Sequence, residues 1–268
     1  MMRGLFMDDI QAHLQRAIEI NSEYADAHYE LAVILRDKKD YEESKKHFLK
    51  TIEIRPDFSL AHFHFALLLK EIQDFKASQE HFLITIDLDQ NFADANYYFG
   101  LLLVEMGDLE SAKNYFERTT VIDQNYTLAY YHLARLLTDP EDYERAKKNY
   151  LTAIDIDEAL EDAHYYLGKL LAGGVKNDED GTLVKNPEYD KAIYHYQKTL
   201  EINNNYAKAH YNLALILKLQ KKFHEAKKHF EKAIKIKKNY AKAHFHLALL
   251  LKESDEAFQG KAEEKKSK

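Results

Sequence analysis

Apolar residues recur three and four positions apart through most of the chain, a spacing that places them along one stripe of an α-helix. Short polar turns such as Lys38-Lys39-Asp40 and Met106-Gly107-Asp108 interrupt the stripes about every 12–14 residues. Short connections between amphipathic helices favour antiparallel neighbours. The pattern therefore predicts an all-α protein built from pairs of antiparallel helices.

A six-residue segment recurs along the chain at a fixed spacing. Tyr24-Ala25-Asp26-Ala27-His28-Tyr29 returns with small changes at 92–97, 206–211 and 240–245, and weaker copies begin at residues 58, 126 and 160. The starts at 24, 58, 92, 126 and 160 are 34 residues apart, as are those at 206 and 240, whereas 160 and 206 are separated by 46. A constant period of this length predicts one helix pair per repeat, stacked into a solenoid.

Two kinds of position are restricted within each repeat. Small residues stand where the helices of a pair must approach closely: Ala32, Ala66, Gly100, Ala134, Gly168, Ala214 and Ala248 in the first helix, and Ser44, Ser78, Ala112, Ala146, Ala192 and Ala226 in the second. Aromatic residues stand where neighbouring repeats must be packed together: Phe48, Phe82, Phe116, Tyr150, Tyr196 and Phe230.

The period, the small residues and the aromatic residues together resemble the tetratricopeptide repeat family over about residues 7–253. The resemblance implies a right-handed superhelical solenoid of antiparallel helix pairs. The tryptophan usual near the start of the first helix is replaced at all seven positions, five times by a histidine such as His28 or His62, and the closing proline of a repeat appears only as Pro56. The small and aromatic positions are kept, so these departures do not alter the expected fold.

The period divides the chain into a solenoid over residues 1–253 and a charged flexible tail over 254–268. Its predicted parts are a half repeat at 7–24, repeats at 25–58, 59–92, 93–126, 127–160, 161–206 and 207–240, and a capping helix at 241–253. The half repeat matches only a second helix. Either the chain belongs to a longer array, or Leu5 and Phe6 cap an unusual terminus.

An insertion near 173–187 widens the turn inside the repeat 161–206. With Tyr166-Leu167-Gly168 before it and Asp190-Lys191-Ala192 after it, this repeat is similar to the Sel1-like variant of the family. The segment is predicted to be a plain loop, with a secondary partner contact as the alternative.

Composition and charge narrow the classes of function. The chain has no cysteine, which excludes disulfides and thiolate chemistry. It has no signal-peptide pattern, no apolar run long enough for a membrane span and no phosphate-binding glycine loop, so we expect a cytoplasmic protein with no cofactor. The net charge of −7 combines an acidic N-terminal part with a basic region after residue 200, which holds 16 Lys against 8 acidic residues.

The fourteen histidines do not form an expected metal site. Most occupy fixed repeat positions, and equivalent residues of successive repeats are about 10 Å or more apart, too far to share one ion. No nucleophile motif is present either, so no catalytic residue is predicted.

A partner is expected on the first helices, which line the concave side of such a solenoid. If Ala25 is position 1 of its repeat, positions 2, 5, 6, 9, 12 and 13 form the stripe that faces this groove. Tyr and Arg often dominate binding energy, and they concentrate in the middle repeats. The predicted contact residues are Tyr97, Tyr98, Tyr131, His132, Arg135, Tyr165, Tyr166, Lys169, Lys208, Tyr211 and Asn212.

Charge adds a direction to the groove. Position 2 is Asp26, Asp94 and Asp162 in earlier repeats but Lys208 and Lys242 in later ones. This gradient would orient a peptide with one basic and one acidic end. Solvated edge charges are the alternative interpretation.

Two binding modes known in the family are not matched. The mode that clamps the carboxylate of a chaperone tail needs Lys and Asn at positions 5 and 9, but position 5 is aromatic here and only Lys208, Asn212 and Lys242 remain. The arrays attached to protein-glycosylating transferases carry a ladder of Asn at position 6, and this chain has Asn212 alone.

The sequence therefore predicts a non-catalytic scaffold or adaptor that binds a peptide or helix of a partner protein in its groove. The alternative is the regulatory or substrate-recruiting array of an enzyme, such as a glycosyltransferase, whose catalytic part lies elsewhere. A third hypothesis is self-association through the open N-terminal edge, which a concentration-independent monomer mass would remove. Nucleic-acid binding is not expected, because the central groove is not basic.

Overall fold

The computed structural model describes residues 2–173 and 188–266, with side chains for 8–173 and 188–255. Every regular element in those residues is helical, which confirms the predicted all-α solenoid of repeats. The fourteen α-helices are α1 (Met2–Ile20), α2 (Ala25–Asp37), α3 (Tyr41–Ile54), α4 (Ser59–Glu71), α5 (Phe75–Leu88), α6 (Ala93–Met106), α7 (Leu109–Ile122), α8 (Thr127–Leu136), α9 (Tyr143–Ile156), α10 (Glu161–Leu171), α11 (Tyr189–Ile202), α12 (Ala207–Leu219), α13 (Phe223–Ile236) and α14 (Ala241–Lys266). A short 3-10 helix, Pro140–Asp142, precedes α9.

The chain divides into two compact units, Met1–Ala129 and Tyr130–Lys268. In the N-terminal unit, α2, α4 and α6 each pair with the helix that follows, and α1 packs against α2. In the C-terminal unit, α10 pairs with α11 and α12 with α13, while α9 packs on α10 and α14 on α13. No helix among the described residues combines the length and apolar content needed to cross a membrane.

The turns inside the three helix pairs of the N-terminal unit share a local cause. Asp40, Asp74 and Asp108 precede the second helices, and each carboxylate accepts a hydrogen bond from the backbone N–H three residues later. This is the N-cap role for which aspartate is favoured. One residue before the cap, the backbone enters the left-handed region, for example at Lys39 (φ 63°) and Gly107 (φ 84°).

Small residues allow close approach within each pair. The Ser44 hydroxyl donates to the Ala32 carbonyl oxygen at 2.7 Å, which joins α3 to α2. A Cβ on Gly100 would lie 2.7 Å from Cε1 of Phe116, a distance that real Cβ atoms do not show. The small side chains are therefore a packing requirement, because a bulkier one would push the helices apart.

The structure differs from the sequence expectation at several places. Helix α14 extends to Lys266, past the capping helix expected at 241–253, because the residues after Glu253 are mostly good helix formers. Helix α8 ends at Leu136, just before Pro140, which cannot continue a helix. Residues 174–187, which hold nearly all of the predicted insertion, lie outside the described residues. The repeat boundaries and the handedness of the superhelix stay predictions.

Candidate functional site

The groove face is defined here as positions 2, 5, 6, 9, 12 and 13 of the first helices. These helices are α2, α4 and α6 in the N-terminal unit and α10, α12 and α14 in the C-terminal unit, which also holds α8 from Tyr130 onward. Tyr97 and Tyr98 belong to the first unit, and the other nine predicted contact residues belong to the second. Each unit is described by itself.

Position 5 is an interior packing position. The Phe63 ring centroid lies 6.1 Å from that of Phe82 and 4.9 Å from that of Phe92, both in its own repeat, and 5.8 Å from Tyr98 at position 6 of the next repeat. The C-terminal unit repeats this arrangement around Tyr211, whose ring lies 5.8 Å from that of His246. Phe63 and Tyr211 are thus each enclosed by two rings of their own repeat and one side chain of the following repeat.

Burial divides the predicted contact residues into two sets. Five of them are only 2–7% exposed and pack into the interior of their unit: Tyr97, Tyr131, Tyr165, Tyr211 and Asn212. The Asn212 amide donates to the Tyr165 hydroxyl at 3.2 Å, so this asparagine joins two repeats. Six offer surface, and for these a partner contact stays a prediction: Tyr98, His132, Arg135, Tyr166, Lys169 and Lys208.

Arg135 has the most distinctive surroundings of the six. Its guanidinium carbon lies 5.0 Å from the ring centroid of Tyr166 and 5.5 Å from that of Tyr131. Tyr166 in turn lies parallel to Tyr150, with an interplanar angle of 8° and a centroid separation of 6.5 Å. Tyr150 is 4% exposed. A fixed wall of aromatic rings therefore holds this exposed cation, and the ring faces attract it.

Three other groove-face cations are neutralised by carboxylates. Arg36 lies 3.0 Å from Asp37, Lys70 lies 2.6 Å from Glu105, and Lys218 lies 2.7 Å from Glu253. No carboxylate in the described part of the chain lies within 4.0 Å of the Arg135 guanidinium. Arg135 thus presents positive charge that the described residues do not neutralise by a direct ion pair.

The neighbouring histidine does not add to this charge at neutral pH. Burial, reinforced by the nearby Arg135 cation, lowers the pKa of His132 to about 4. The same cause acts in the N-terminal unit, where burial and then Arg36 lower the pKa of His64 to about 4. Both imidazoles are therefore neutral polar groups at pH 7.

The two units present groove faces of opposite charge. The groove face of the N-terminal unit carries six acidic and two basic side chains. The acidic ones are Asp26, Glu30, Asp37, Glu71, Asp94 and Glu105, and the basic ones are Arg36 and Lys70. The groove face of the C-terminal unit carries six basic and three acidic side chains. The basic ones are Arg135, Lys169, Lys208, Lys218, Lys242 and Lys252, and the acidic ones are Asp139, Asp162 and Glu253. The contrast involves more positions than the predicted gradient at position 2.

The acidic end of the predicted gradient also has a structural role. Asp26 is bound by Arg55 at 2.7 Å, and the Arg55 guanidinium covers the Phe58 ring at 3.6 Å. Asp94 accepts a hydrogen bond from the Tyr126 hydroxyl at 2.6 Å, and Asp162 accepts the equivalent bond at the same distance from the last tyrosine of its own repeat. These three aspartates therefore fix the connection that follows the second helix of their own repeat.

Tyr150 is a site residue that the sequence analysis did not name as one. It lies on a second helix and was assigned only to inter-repeat packing, but its ring supports Tyr166 beneath Arg135. Its place in the 34-residue aromatic pattern was the available signal. No group of three or more metal-ligating side chains occurs among the described residues.

Comparisons with known proteins agree with this architecture. Family models described as "Tetratricopeptide repeat" match residues 25–58, 93–126, 128–160 and 207–240, and one described as "TPR repeat" matches 183–221. No curated protein matches the chain significantly.

Solved structures similar to the chain share its fold at low identity. YrrB, described as a TPR protein with an unusual peptide-binding site, is 22% identical with a TM-score of 0.60, over 74% of this chain and 96% of its own. The MamA protein is 23% identical with a TM-score of 0.56, over 69% of this chain and 94% of its own. PilF of Pseudomonas aeruginosa is 16% identical with a TM-score of 0.68, over 85% of this chain and 98% of its own.

The family models span more than half of the chain, and the helix pairs and enclosed aromatic positions recur from repeat to repeat. The chain belongs to the tetratricopeptide repeat family.

Proposed function

We propose that this protein is a non-catalytic scaffold or adaptor that binds a peptide or helix of a partner protein on its groove face. In the C-terminal unit, an acidic side chain of the partner docks on Arg135. The observation that carries the proposal is the exposed guanidinium over Tyr131 and Tyr166, without a carboxylate in the described chain to neutralise it.

The surroundings of Arg135 suit a carboxylate ligand. Guanidinium groups bind carboxylates through two parallel hydrogen bonds, and a partner's Asp or Glu supplies the missing anion. The rings of Tyr131 and Tyr166 limit the conformations of the arginine, so less side-chain entropy is lost on binding. Lys208, also exposed on the same unit's groove face, adds longer-range attraction for an acidic segment.

The half-buried side chains around the cation supply the apolar part of the contact. Tyr166 and His132 are neighbours of Arg135 and keep part of their surface accessible. Tyrosine offers large contact area with few rotatable bonds, which is why it is common at binding sites. The expected ligand is therefore an extended or helical segment with an Asp or Glu next to an apolar or aromatic residue. YrrB, which shares this fold, binds a peptide according to its description.

A selection from a displayed library of random peptides tests this function. We expect peptides captured by the wild-type chain to be enriched in Asp or Glu, and to be lost when the Arg135→Ala variant is used. Arg145→Ala is the matched control, because Arg145 is an exposed arginine on the second helix of the same repeat. Selected peptides without acidic residues, or equal capture by Arg135→Ala, would contradict the proposal.

A further inference from the structure

Four repeats contain a pair of histidine rings, one from each helix, in direct contact. The distances between the two Nδ1 atoms are 2.8 Å in three pairs and 3.0 Å in one. These histidine pairs are His28–His47, His62–His81, His164–His195 and His210–His229. Their first-helix members are only 1–6% exposed. The pairs are therefore part of the packing between the two helices of each repeat.

Hydrogen bonding fixes which ring nitrogen carries the proton. The Nε2 atoms of His28, His62 and His210 lie 3.0–3.1 Å from backbone carbonyl oxygens of the preceding loop. A carbonyl oxygen only accepts, so Nε2 must be the protonated nitrogen of the neutral first-helix ring. Its Nδ1 is then an acceptor, and Nδ1 of the second-helix ring must donate to it.

This arrangement limits the number of protons that a histidine pair can hold while its two rings stay in contact. A pair in this state is called closed below. One additional proton can bind Nε2 of the second-helix ring without breaking the contact between the rings. A second additional proton would have to bind Nδ1 of the first-helix ring, and two N–H donors would then face each other across about 2.8 Å. A closed pair therefore accepts at most one additional proton, whereas the same two histidines accept two in the unfolded chain.

The charged groups near the pairs have both signs, and burial outweighs the nearby carboxylates in lowering the pKa of His47 and His164. His47 lies near Glu43 and Lys46, His164 near Glu158, Lys198 and Glu201, and His210 and His229 near Lys232. His81 lies 4.7 Å from the Phe65 ring. Burial and then the partner ring lower the pKa of His81, His195 and His229 to about 4.

We propose that the four histidine pairs make the helix packing of their repeats acid-labile, so that these repeats open when both rings of a pair become protonated. Two pairs lie beside groove-face residues of the C-terminal unit, since His164 precedes Tyr165 and Tyr166 and His210 precedes Tyr211 in the sequence. Opening of these repeats displaces the groove face and releases a bound partner at low pH. This last consequence rests on the proposed function, whereas the acid lability itself does not.

Two repeats of the same chain lack a histidine pair and show which residues can replace one. At the two equivalent positions, the repeat 93–126 has Asn96 and Tyr115, and the repeat 127–160 has Tyr130 and Asn149. The Asn96 amide donates to the Phe92 carbonyl oxygen at 2.9 Å. The Tyr115 ring lies 4.5 Å from Phe99, much as His81 contacts Phe65. The double substitution His62→Asn and His81→Tyr therefore copies a combination that this fold already accommodates.

The sign of the pH effect follows from these proton numbers. The folded-state pKa of the second proton lies below the unfolded value of about 6.5, so the unfolded chain binds more protons between about pH 6.5 and 4. Stability is therefore fully present above about pH 6.5 and is lost as the pH falls through this window. Within this window, each pair is expected to raise the unfolding equilibrium constant about tenfold for each pH unit by which the pH is lowered.

Guanidinium unfolding of the full chain, followed by circular dichroism from pH 7.5 to 4.5, measures this dependence. The slope of the logarithm of the unfolding constant against pH gives the number of protons taken up on unfolding. We expect its magnitude to be smaller by about one in the variant His62→Asn/His81→Tyr. The control His224→Asn replaces an exposed histidine of α13 and should leave the slope unchanged. An equal slope for the wild type and the double variant would overturn the proposal.

A second measurement does not depend on how well the variant folds. NMR titration of the assigned wild-type imidazoles is expected to show that at least one histidine of each of the four pairs remains neutral at pH 5. Titration of every histidine near its ordinary pKa of about 6.5 would equally overturn the proposal. Neither measurement requires a partner, so failure here is distinguishable from failure of the groove-face function.

Discussion

Replacing Phe82 by alanine is expected to lower the free energy of unfolding by about 3–5 kcal/mol. The Phe82 side chain on α5 is fully buried. Its ring centroid lies 6.1 Å from that of Phe63 on α4 and 5.9 Å from that of Phe99 on α6, so it joins two repeats. Truncation leaves a cavity that the flanking rigid helices fill only in part. Denaturant unfolding followed by circular dichroism measures the loss.

The matched control is Phe245→Ala on α14. Phe245 occupies position 5 of its helix but is 60% exposed, because no repeat encloses it among the described residues. Its replacement is expected to change stability by less than about 0.5 kcal/mol. Equal losses for the two variants would mean that enclosure between repeats is not what stabilises the solenoid.

Replacing Arg135 by alanine is expected to weaken the binding of a selected acidic peptide by about 10- to 100-fold. The substitution removes the cation that we propose binds the partner's carboxylate, and it exposes the faces of Tyr131 and Tyr166. Arg135→Lys keeps the charge but loses the planar group that lies over the rings, so an intermediate affinity is expected. Fluorescence anisotropy of a labelled peptide at low ionic strength measures the three dissociation constants.

Two observations separate this effect from general damage. Arg145→Ala should bind the peptide like the wild type, and all variants should have the same helicity by circular dichroism. Exposed electrostatic attraction is screened by salt, so the difference between wild type and Arg135→Ala should shrink as salt is added. Unchanged affinity in Arg135→Ala would remove Arg135 from the binding site.

The fold follows from the sequence because each repeat contains the same constraints. The 34-residue spacing, the small residues at positions such as Ala32 and Gly100, and the aromatic residues such as Phe116 act together. A wrong assignment would place a bulky side chain against the neighbouring helix in several repeats at once. Agreement between repeats therefore constrains the fold more strongly than any single helix does.

The candidate site could be predicted only in part, because the period of one helix does not show what covers it. Tyr97 and Tyr98 both belong to the predicted stripe, yet Tyr97 is 4% exposed and Tyr98 keeps accessible surface. The difference arises from neighbouring parts of the repeat: the Tyr97 ring packs 4.8 Å from that of Tyr126. Sequence spacing identifies the face of a helix, whereas burial depends on tertiary packing.

The histidine pairs show the opposite case, because their spacing along the sequence indicates the contact. His28 and His47, His62 and His81, and His210 and His229 are each separated by 19 residues, which places them in the two helices of one repeat. The prediction of no metal site rests on equivalent histidines of successive repeats, which lie about 10 Å or more apart. In the fourth pair the separation is 31 residues because of the insertion, so the common spacing is hidden.

Photo-crosslinking at a defined position tests the groove-face function most directly. A photoreactive phenylalanine derivative would replace Tyr166 on the groove face in one variant and Tyr194 on the second helix α11, which is 52% exposed, in another. Each variant would be irradiated with the same selected acidic peptide. We predict a crosslinked product at position 166 and none at position 194. A crosslink at position 194 alone would contradict binding on the groove face and would place the partner on the second helices.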